Sequence, residues 1–214
     1  STTATLIFEM LKKDSNNAYL AGNIGQSPLD FLDTLNDQPA SPQGGSWVVL
    51  EMSSFQLYDL KISPHIAVVL MISSEHLDYH KTNEAYIDAK RNILRFQKKD
   101  DFAVINRDYP ASNESDIFTQ GKVFQVSRKK ECKNGSFVKD NAIWMSIDGR
   151  KEKIIDVAKI KLLGKHNLEN VCAAVCVAQI LGVSRNNIVK VLISFGGLEH
   201  RLEFAGEKNG IRFY

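Results

Sequence analysis

The sequence predicts an α/β protein, a mostly parallel sheet flanked by helices, with a small antiparallel β meander added to it. Three observations predict this class. Val48-Val49-Leu50 and Ile66-Ala67-Val68-Val69-Leu70-Met71-Ile72 are continuous apolar runs, the pattern of strands covered on both faces, as parallel sheets require. Around them lie segments with apolar residues at helical spacing, among them Thr2 to Lys13 and Asn83 to Phe96. From Gly135 to Val157 the pattern changes to short alternating runs broken at Asp140-Asn141 and Asp148-Gly149, which marks antiparallel hairpins.

A chain of 214 residues fits one large domain or two small ones and can bury a substantial core. With 24% charged and 43% hydrophobic residues it has an ordinary globular composition. The formal net charge of +2 comes without a basic stripe, which argues against a nucleic-acid polymer as partner. Arg128-Lys129-Lys130 comes nearest and reads as a solvated loop. No apolar run approaches the ~20 residues that cross a bilayer, and the N-terminus lacks a signal pattern. Cys132, Cys172 and Cys176 are too few and too poorly spaced for a disulfide framework or a zinc site. A reducing cytoplasm is expected, with no membrane partner.

In chain order, Thr2 to Lys13 carries Leu6, Ile7, Met10 and Leu11 at helical spacing. Ser1-Thr2-Thr3 opens that helix. Hydroxyls there either cap it or follow the lysine of a phosphate-binding loop, where one of them reaches Mg²⁺. No Gly-Lys precedes Ser1, no initiator Met is present, and the last residues stop within a strand, so a piece of a longer chain is expected. Ala18 to Ala21 is a short strand, and Gly22-Asn23-Ile24-Gly25 a turn that lets backbone approach a ligand. A helix over Leu29 to Leu35 and a polar loop over Pro39 to Gly45 come next.

The run ending at Leu50 then delivers Glu51, followed by Met52-Ser53-Ser54-Phe55-Gln56. The run ending at Ile72 delivers Ser73-Ser74-Glu75-His76-Leu77-Asp78. The two strands are expected to be fully buried neighbours in one sheet. A carboxylate at such an end either faces water or serves a ligand, since open α/β sheets bind ligands at their carboxyl edge. Its recurrence shifts the balance toward a site, with Glu51, Glu75, His76 and Asp78 converging on a hard cation such as Mg²⁺.

Lys90 lies in the middle of the helix from Asn83 to Phe96, and pattern alone leaves it solvated. Phe102 to Ile105 and Val123 to Val126 are further strands. Val171 to Leu181 is a tightly packed helix in which Cys172 and Cys176 act as small apolar residues. His166 and Asn167 precede it, and Asn170 lies in its first turn. The two asparagines either cap or bond locally, or together offer donor and acceptor to a purine edge. Ile188 to Phe195 forms a helix, and Gly196 to Arg201 a turn with an exposed Arg201. Leu202 to Phe204 and Ile211 to Tyr214 form a hairpin over Lys208-Asn209-Gly210.

Ser1-Thr2-Thr3, Gly22-Asn23-Ile24-Gly25, Glu51-Met52-Ser53-Ser54-Phe55-Gln56, Glu75-His76-Leu77-Asp78, Tyr86-Ile87-Asp88-Ala89-Lys90, Gly164-Lys165-His166-Asn167-Leu168-Glu169-Asn170 and Leu198-Glu199-His200-Arg201-Leu202-Glu203 match one family in order. Together they resemble the central ATP-binding domain of the Mur ligases, bacterial cytoplasmic enzymes that add amino acids to the UDP-muramoyl peptide. The resemblance spans essentially all 214 residues. Ser53-Ser54-Phe55-Gln56 and His200-Arg201-Leu202-Glu203 look most like the members that add D-glutamate to UDP-N-acetylmuramoyl-L-alanine.

The resemblance implies a P-loop NTPase-like domain over residues 1–214 that works with ATP and two Mg²⁺ ions, as a monomer acting on small molecules. The γ-phosphoryl group of ATP passes to the substrate carboxylate, and the amine of D-glutamate takes the resulting acyl phosphate to an amide. Ser1 and Glu51 would hold Mg²⁺, with Thr2 beside Ser1 at the ATP phosphates, and His76 would bind a second metal. Lys90 would be carbamylated, an anionic group able to engage Mg²⁺, in place of the solvated ammonium that pattern alone implies. With His76 it would make the catalytic pair. Asn23, Ser53 and Ser54 would face the muramoyl substrate, Asn167 and Asn170 the adenine, and Arg201 the nucleotide.

Met71 departs from the family, which commonly carries Asn there. The phosphate-loop Gly and Lys, an N-terminal UDP-binding domain and a C-terminal domain are absent from the sequence. Residues 1–214 alone are therefore expected to bind nucleotide weakly and not to turn over. Another Mur ligase, a folylpolyglutamate synthetase and a non-catalytic nucleotide-binding module are the alternatives. Glu51, His76 and Lys90 argue against the last, because a pure binder needs no second metal site.

Overall fold

Apolar spacing fixes the first helix. In the computed structural model, which describes residues 1–14, 17–24, 26–35, 46–73, 80–198 and 206–213, α1 (Thr2–Asp14) buries Leu6, Ile7, Met10 and Leu11. Each such side chain contributes about 1.5–3 kcal/mol when fully buried. Its partner is a later helix, Asn167–Ile180, whose Val171, Cys172, Ala173, Ala174, Val175 and Cys176 are all 0% exposed. Small residues there let the helix lie close to its neighbours, and the cysteines pack as small apolar side chains. All three cysteines are free thiols.

Strand β1 (Ala18–Gly22) pairs in parallel with β2 (Trp47–Glu51), in register from Ala18 opposite Trp47 to Gly22 opposite Glu51. Between them the helix expected over 29–35 is present as a 3₁₀ helix, Pro28–Thr34. Ser27 caps it and Pro28 opens it, while Leu29 and Leu32 stay 69% and 59% exposed, so little burial favours a longer α-helix. After β2 comes α2 (Ser54–Tyr58).

The larger sheet takes its strands in sequence order: β3 (Ile66–Val69), β4 (Phe102–Asn106), β5 (Lys122–Ser127), β6 (Gly135–Lys139), β7 (Ala142–Ile147) and β8 (Arg150–Asp156). β3 to β6 run parallel, and β6, β7 and β8 form the antiparallel meander. The hairpin turns take left-handed backbone at Asp140-Asn141 (φ 48° and 54°) and at Asp148-Gly149 (φ 51° and 82°), which matches the twist of the paired strands. Helix α3 (Asn83–Arg95) lies between β3 and β4, and the short α4 (Pro110–Asn113) follows β4. α5 (Asn167–Ile180) and α6 (Arg185–Ser194) come after the meander. α5 begins at Asn167 itself, so this residue opens the helix and does not precede it. A last hairpin, β9 (Gly206–Lys208) with β10 (Ile211–Phe213), turns at Asn209-Gly210, while residues 199–205 lie outside the described residues.

A larger expectation also fails. β2 and β3 are not hydrogen-bonded neighbours: β1 and β2 form their own two-stranded sheet, and β3 belongs to the six-stranded one. The two strands instead line a cleft of about 440 Å³. Neither is fully buried along its length: Leu50 in β2 is 43% exposed, and β3 ends at Val69, short of the expected run, with Met71 beyond it 55% exposed. A continuous apolar run reports contact on both faces of a strand and is silent about which strand lies beside it.

Candidate functional site

The first turn of α1 stands between two clefts. Ser1 and Thr3 line the cleft between β2 and β3, and Thr2 lines a second cleft of about 340 Å³ with Asn167 and Asn170. Three sequence-predicted residues line the first cleft: Ser1, Glu51 and Lys90. Ser1 Oγ donates to Glu51 Oε1 at 3.1 Å. Glu51 Oε2 is buried and lies 2.5 Å from the Ser1 nitrogen. The carboxylate thus turns both oxygens toward Ser1, one of them beside its hydroxyl. That donor set suits a hard divalent cation that takes oxygen ligands and keeps waters. Lys90 reaches the same cleft from α3, its Nζ 5.4 Å from the centre of the Tyr86 ring.

Asn23 joins Glu51 through the backbone, its N–H donating to the Glu51 carbonyl at 2.8 Å. Gly22 makes that approach possible. It has φ 96°, and a Cβ there would fall 2.2 Å from the Glu51 carbonyl oxygen. Ser53 and Gln56 form a capping box on α2: Ser53 Oγ accepts from the Gln56 N–H, and Gln56 Oε1 from the Ser53 N–H. Ser54 is 2% exposed and its Oγ lies 3.0 Å from His80 Nε2. His80, itself 5% exposed, packs against Phe55 and Tyr86.

At the second cleft the asparagines form a pair. Asn170 Nδ2 donates to Asn167 Oδ1 at 2.8 Å, and Asn167 Nδ2 to the Leu163 carbonyl at 2.6 Å. Between them in sequence stands a buried carboxylate. Glu169, 6% exposed, accepts from Asn106 Nδ2, Tyr109 OH and Arg128 Nε, each at 3.0 Å. Burial, and then the hydrogen bond to Glu169, push the Tyr109 phenol above its ordinary pKa, and the bond to Glu169 raises that of Arg128. Arg128 is therefore not the merely solvated loop residue expected of 128–130: it fastens the end of β5 to the first turn of α5.

Sequence reasoning missed Glu169, Asn106, Tyr109, Thr3 and His80. A carboxylate within an otherwise apolar helix was the available signal for Glu169, and the run of hydroxyls that opens α1 the signal for Thr3; the others carried none. His76 and Arg201, with Glu75 and Asp78, lie outside the described residues. Among the described residues no three His, Cys, Asp or Glu side chains form a metal-binding group, and no helix is long and apolar enough to cross a membrane.

The family model of the Mur ligase middle domain matches residues 1–178. The chain is 40% identical over 215 residues to the UDP-N-acetylmuramoylalanine--D-glutamate ligase of Thermoanaerobacter pseudethanolicus, covering 100% of this chain and 46% of that protein. It is 44% identical to the ligase of the same name from Geobacillus kaustophilus, covering 100% of this chain and 45% of the relative. The chain thus spans a little under half the length of these relatives. Among solved structures, a UDP-N-acetylmuramoyl-L-alanyl-D-glutamate--2,6-diaminopimelate ligase superposes with a TM-score of 0.72 at 22% identity, over 97% of this chain and 46% of its own. The MurF ligase of Thermotoga maritima in complex with ADP gives 0.62 at 20% identity, over 99% and 50%. These two likenesses establish the fold.

Proposed function

This chain belongs to the Mur ligase family, and from that premise we propose that the full-length protein joins D-glutamate to UDP-N-acetylmuramoyl-L-alanine in an ATP-dependent amide-forming reaction of peptidoglycan precursor synthesis. One observation carries the reading: Ser1, Glu51 and Lys90, from three separate stretches, line one cleft in a chain whose whole length matches ligases of that name at about 40% identity. Residues 1–214 act in this reading as the middle, ATP-binding part of the enzyme.

Ser1 and Glu51 would hold Mg²⁺ beside the ATP phosphates. The ion supplies charge neutralisation as the γ-phosphoryl group passes to the substrate carboxylate, a step that otherwise depends on positioning. The N-terminus of α1 favours the phosphates through its unsatisfied N–H groups. Asn167 and Asn170 hold the adenine in the second cleft, and Thr2, which lines that cleft, joins the two regions. Lys90 serves as a carbamate, His76 binds a second ion and Arg201 holds the nucleotide. Gly22 lets the turn bearing Asn23 close on Glu51, and His80 fixes Ser54 at the start of α2, on the side assigned to the muramoyl substrate. The protein acts on small molecules as a cytoplasmic monomer.

Phosphate release by the full-length protein, given ATP, Mg²⁺ and UDP-N-acetylmuramoyl-L-alanine, tests the proposal. D-glutamate is expected to stimulate it well above L-alanine, L-lysine or meso-diaminopimelate. Equal or greater stimulation by any of these overturns the assignment.

A further inference from the structure

We propose that Thr3 is a positioning residue that holds the Asn167–Asn170 pair, whose polarity the Leu163 carbonyl sets, in the orientation offered to a purine, and so contributes to selection of adenine; this rests on the adenine reading given above. The three hydrogen bonds run in one direction. The Leu163 carbonyl can only accept, so Asn167 must turn Nδ2 toward it and Oδ1 toward Asn170. Asn170 must then donate Nδ2 to that oxygen, which leaves its own Oδ1 on the far side. There Thr3 Oγ1 donates to it at 2.8 Å. Thr3 belongs to α1 and stands 167 positions from Asn170, so no local helix geometry aligns the two. Polarity is set at one end by a group that cannot donate, and the position of Asn170 is fastened at the other by the Thr3 hydroxyl.

Each carboxamide keeps one N–H and oxygen lone-pair capacity uncommitted. The pair lines the second cleft, whereas Thr3 lines the first and reaches Asn170 from that side. An asparagine amide of fixed polarity matches adenine, accepting from N6 and donating to N7. Guanine carries acceptors at both corresponding positions and sets oxygen against oxygen. The backbone under the pair is already held, because Glu169 is tied to Asn106, Tyr109 and Arg128. The freedom that remains is rotation of the Asn170 side chain away from the pair, and the Thr3 hydroxyl restrains it.

The test compares kcat/KM for ATP and GTP in the full-length protein. Thr3→Val keeps the side-chain shape and deletes the donor. It is expected to lower the ATP-over-GTP ratio about fivefold, the worth of one net hydrogen bond. The change should come through KM for ATP, with kcat within about twofold, and Thr3→Ser should restore the ratio. Thr3→Ala, a better helix former, gives the same readout should valine disturb α1. An unchanged ratio in Thr3→Val and Thr3→Ala overturns the inference, as does a loss of kcat with the ratio preserved. Asn170→Ala separates the two claims. If it leaves KM for ATP unchanged, the adenine reading itself fails; if it raises KM while the Thr3 variants do not, only the role of Thr3 falls.

Discussion

Truncating Glu169 to alanine tests whether the first turn of α5 is fastened to the sheet by that carboxylate. Hydrogen bonds to a charged group contribute about 1.5–3 kcal/mol each, and Glu169 accepts three. The loss is smaller than their sum. The Arg128 side chain is 29% exposed and Tyr109 is partly exposed, so both regain water once the carboxylate is gone. Asn106 is 0% exposed, and its amide would lose its acceptor with no water to replace it, at a cost of about 1–3 kcal/mol. With the space left behind, the net expectation is about 2–4 kcal/mol, a fall in Tm of about 5–15 °C for a chain of this length. Glu169→Gln keeps the shape and one acceptor oxygen and should cost about 1–2 kcal/mol. A double-mutant cycle with Arg128→Met should give a coupling of about 1 kcal/mol or less, because solvent screens the exposed arginine. The assay is urea unfolding followed by circular dichroism. A Glu169→Ala variant within about 0.5 kcal/mol of the parent would refute the reasoning, since a change that small is what an ordinary exposed position gives.

Gly22→Ala forces a Cβ against the Glu51 carbonyl at a backbone angle that side chains avoid, so it should lower stability by about 2 kcal/mol or more. An unchanged urea midpoint would deny the close approach. Burial pushes the Cys132 thiol up to about 11 and the Cys172 thiol to about 12. Each pKa is higher in the folded state, so the contribution is intact below the ordinary thiol value near 9 and is lost as pH rises through the folded one. Stability should therefore decline above about pH 9, less steeply in Cys172→Ala, and iodoacetamide at about pH 8 should modify these thiols only in denaturant. For Lys90, intact-mass measurement in bicarbonate at neutral pH should find one carbon-dioxide adduct that acid removes. Short carboxylic acids should restore part of the activity of full-length Lys90→Ala. An unmodified lysine together with no rescue counts against the carbamate.

Much of the secondary structure is legible in the sequence because its causes are local. The spacing of Leu6, Ile7, Met10 and Leu11 suffices for α1, and Asp140-Asn141 and Asp148-Gly149 supply the left-handed backbone that the hairpins need. The capping box of Ser53 and Gln56 also follows a local rule, although the same residues suit a polar exit from a strand. Arg128 is not legible. A basic triplet in a loop looks solvated, and only the position of Glu169, 41 residues away, gives its guanidinium a buried partner.

The same division runs through the candidate site. The sequence alone determined the order of motifs, the strand that ends in Glu51, the hydroxyls that open α1 and the asparagines of α5, because residue type and spacing act over a few positions. Tertiary structure decided which of them meet. It paired β2 with β1 and left a cleft toward β3, set Ser1 on Glu51 across 50 positions, and set Thr3 on Asn170 across 167. Such partners depend on the path of the whole chain and on which buried polar groups must be satisfied together, and no local propensity encodes either.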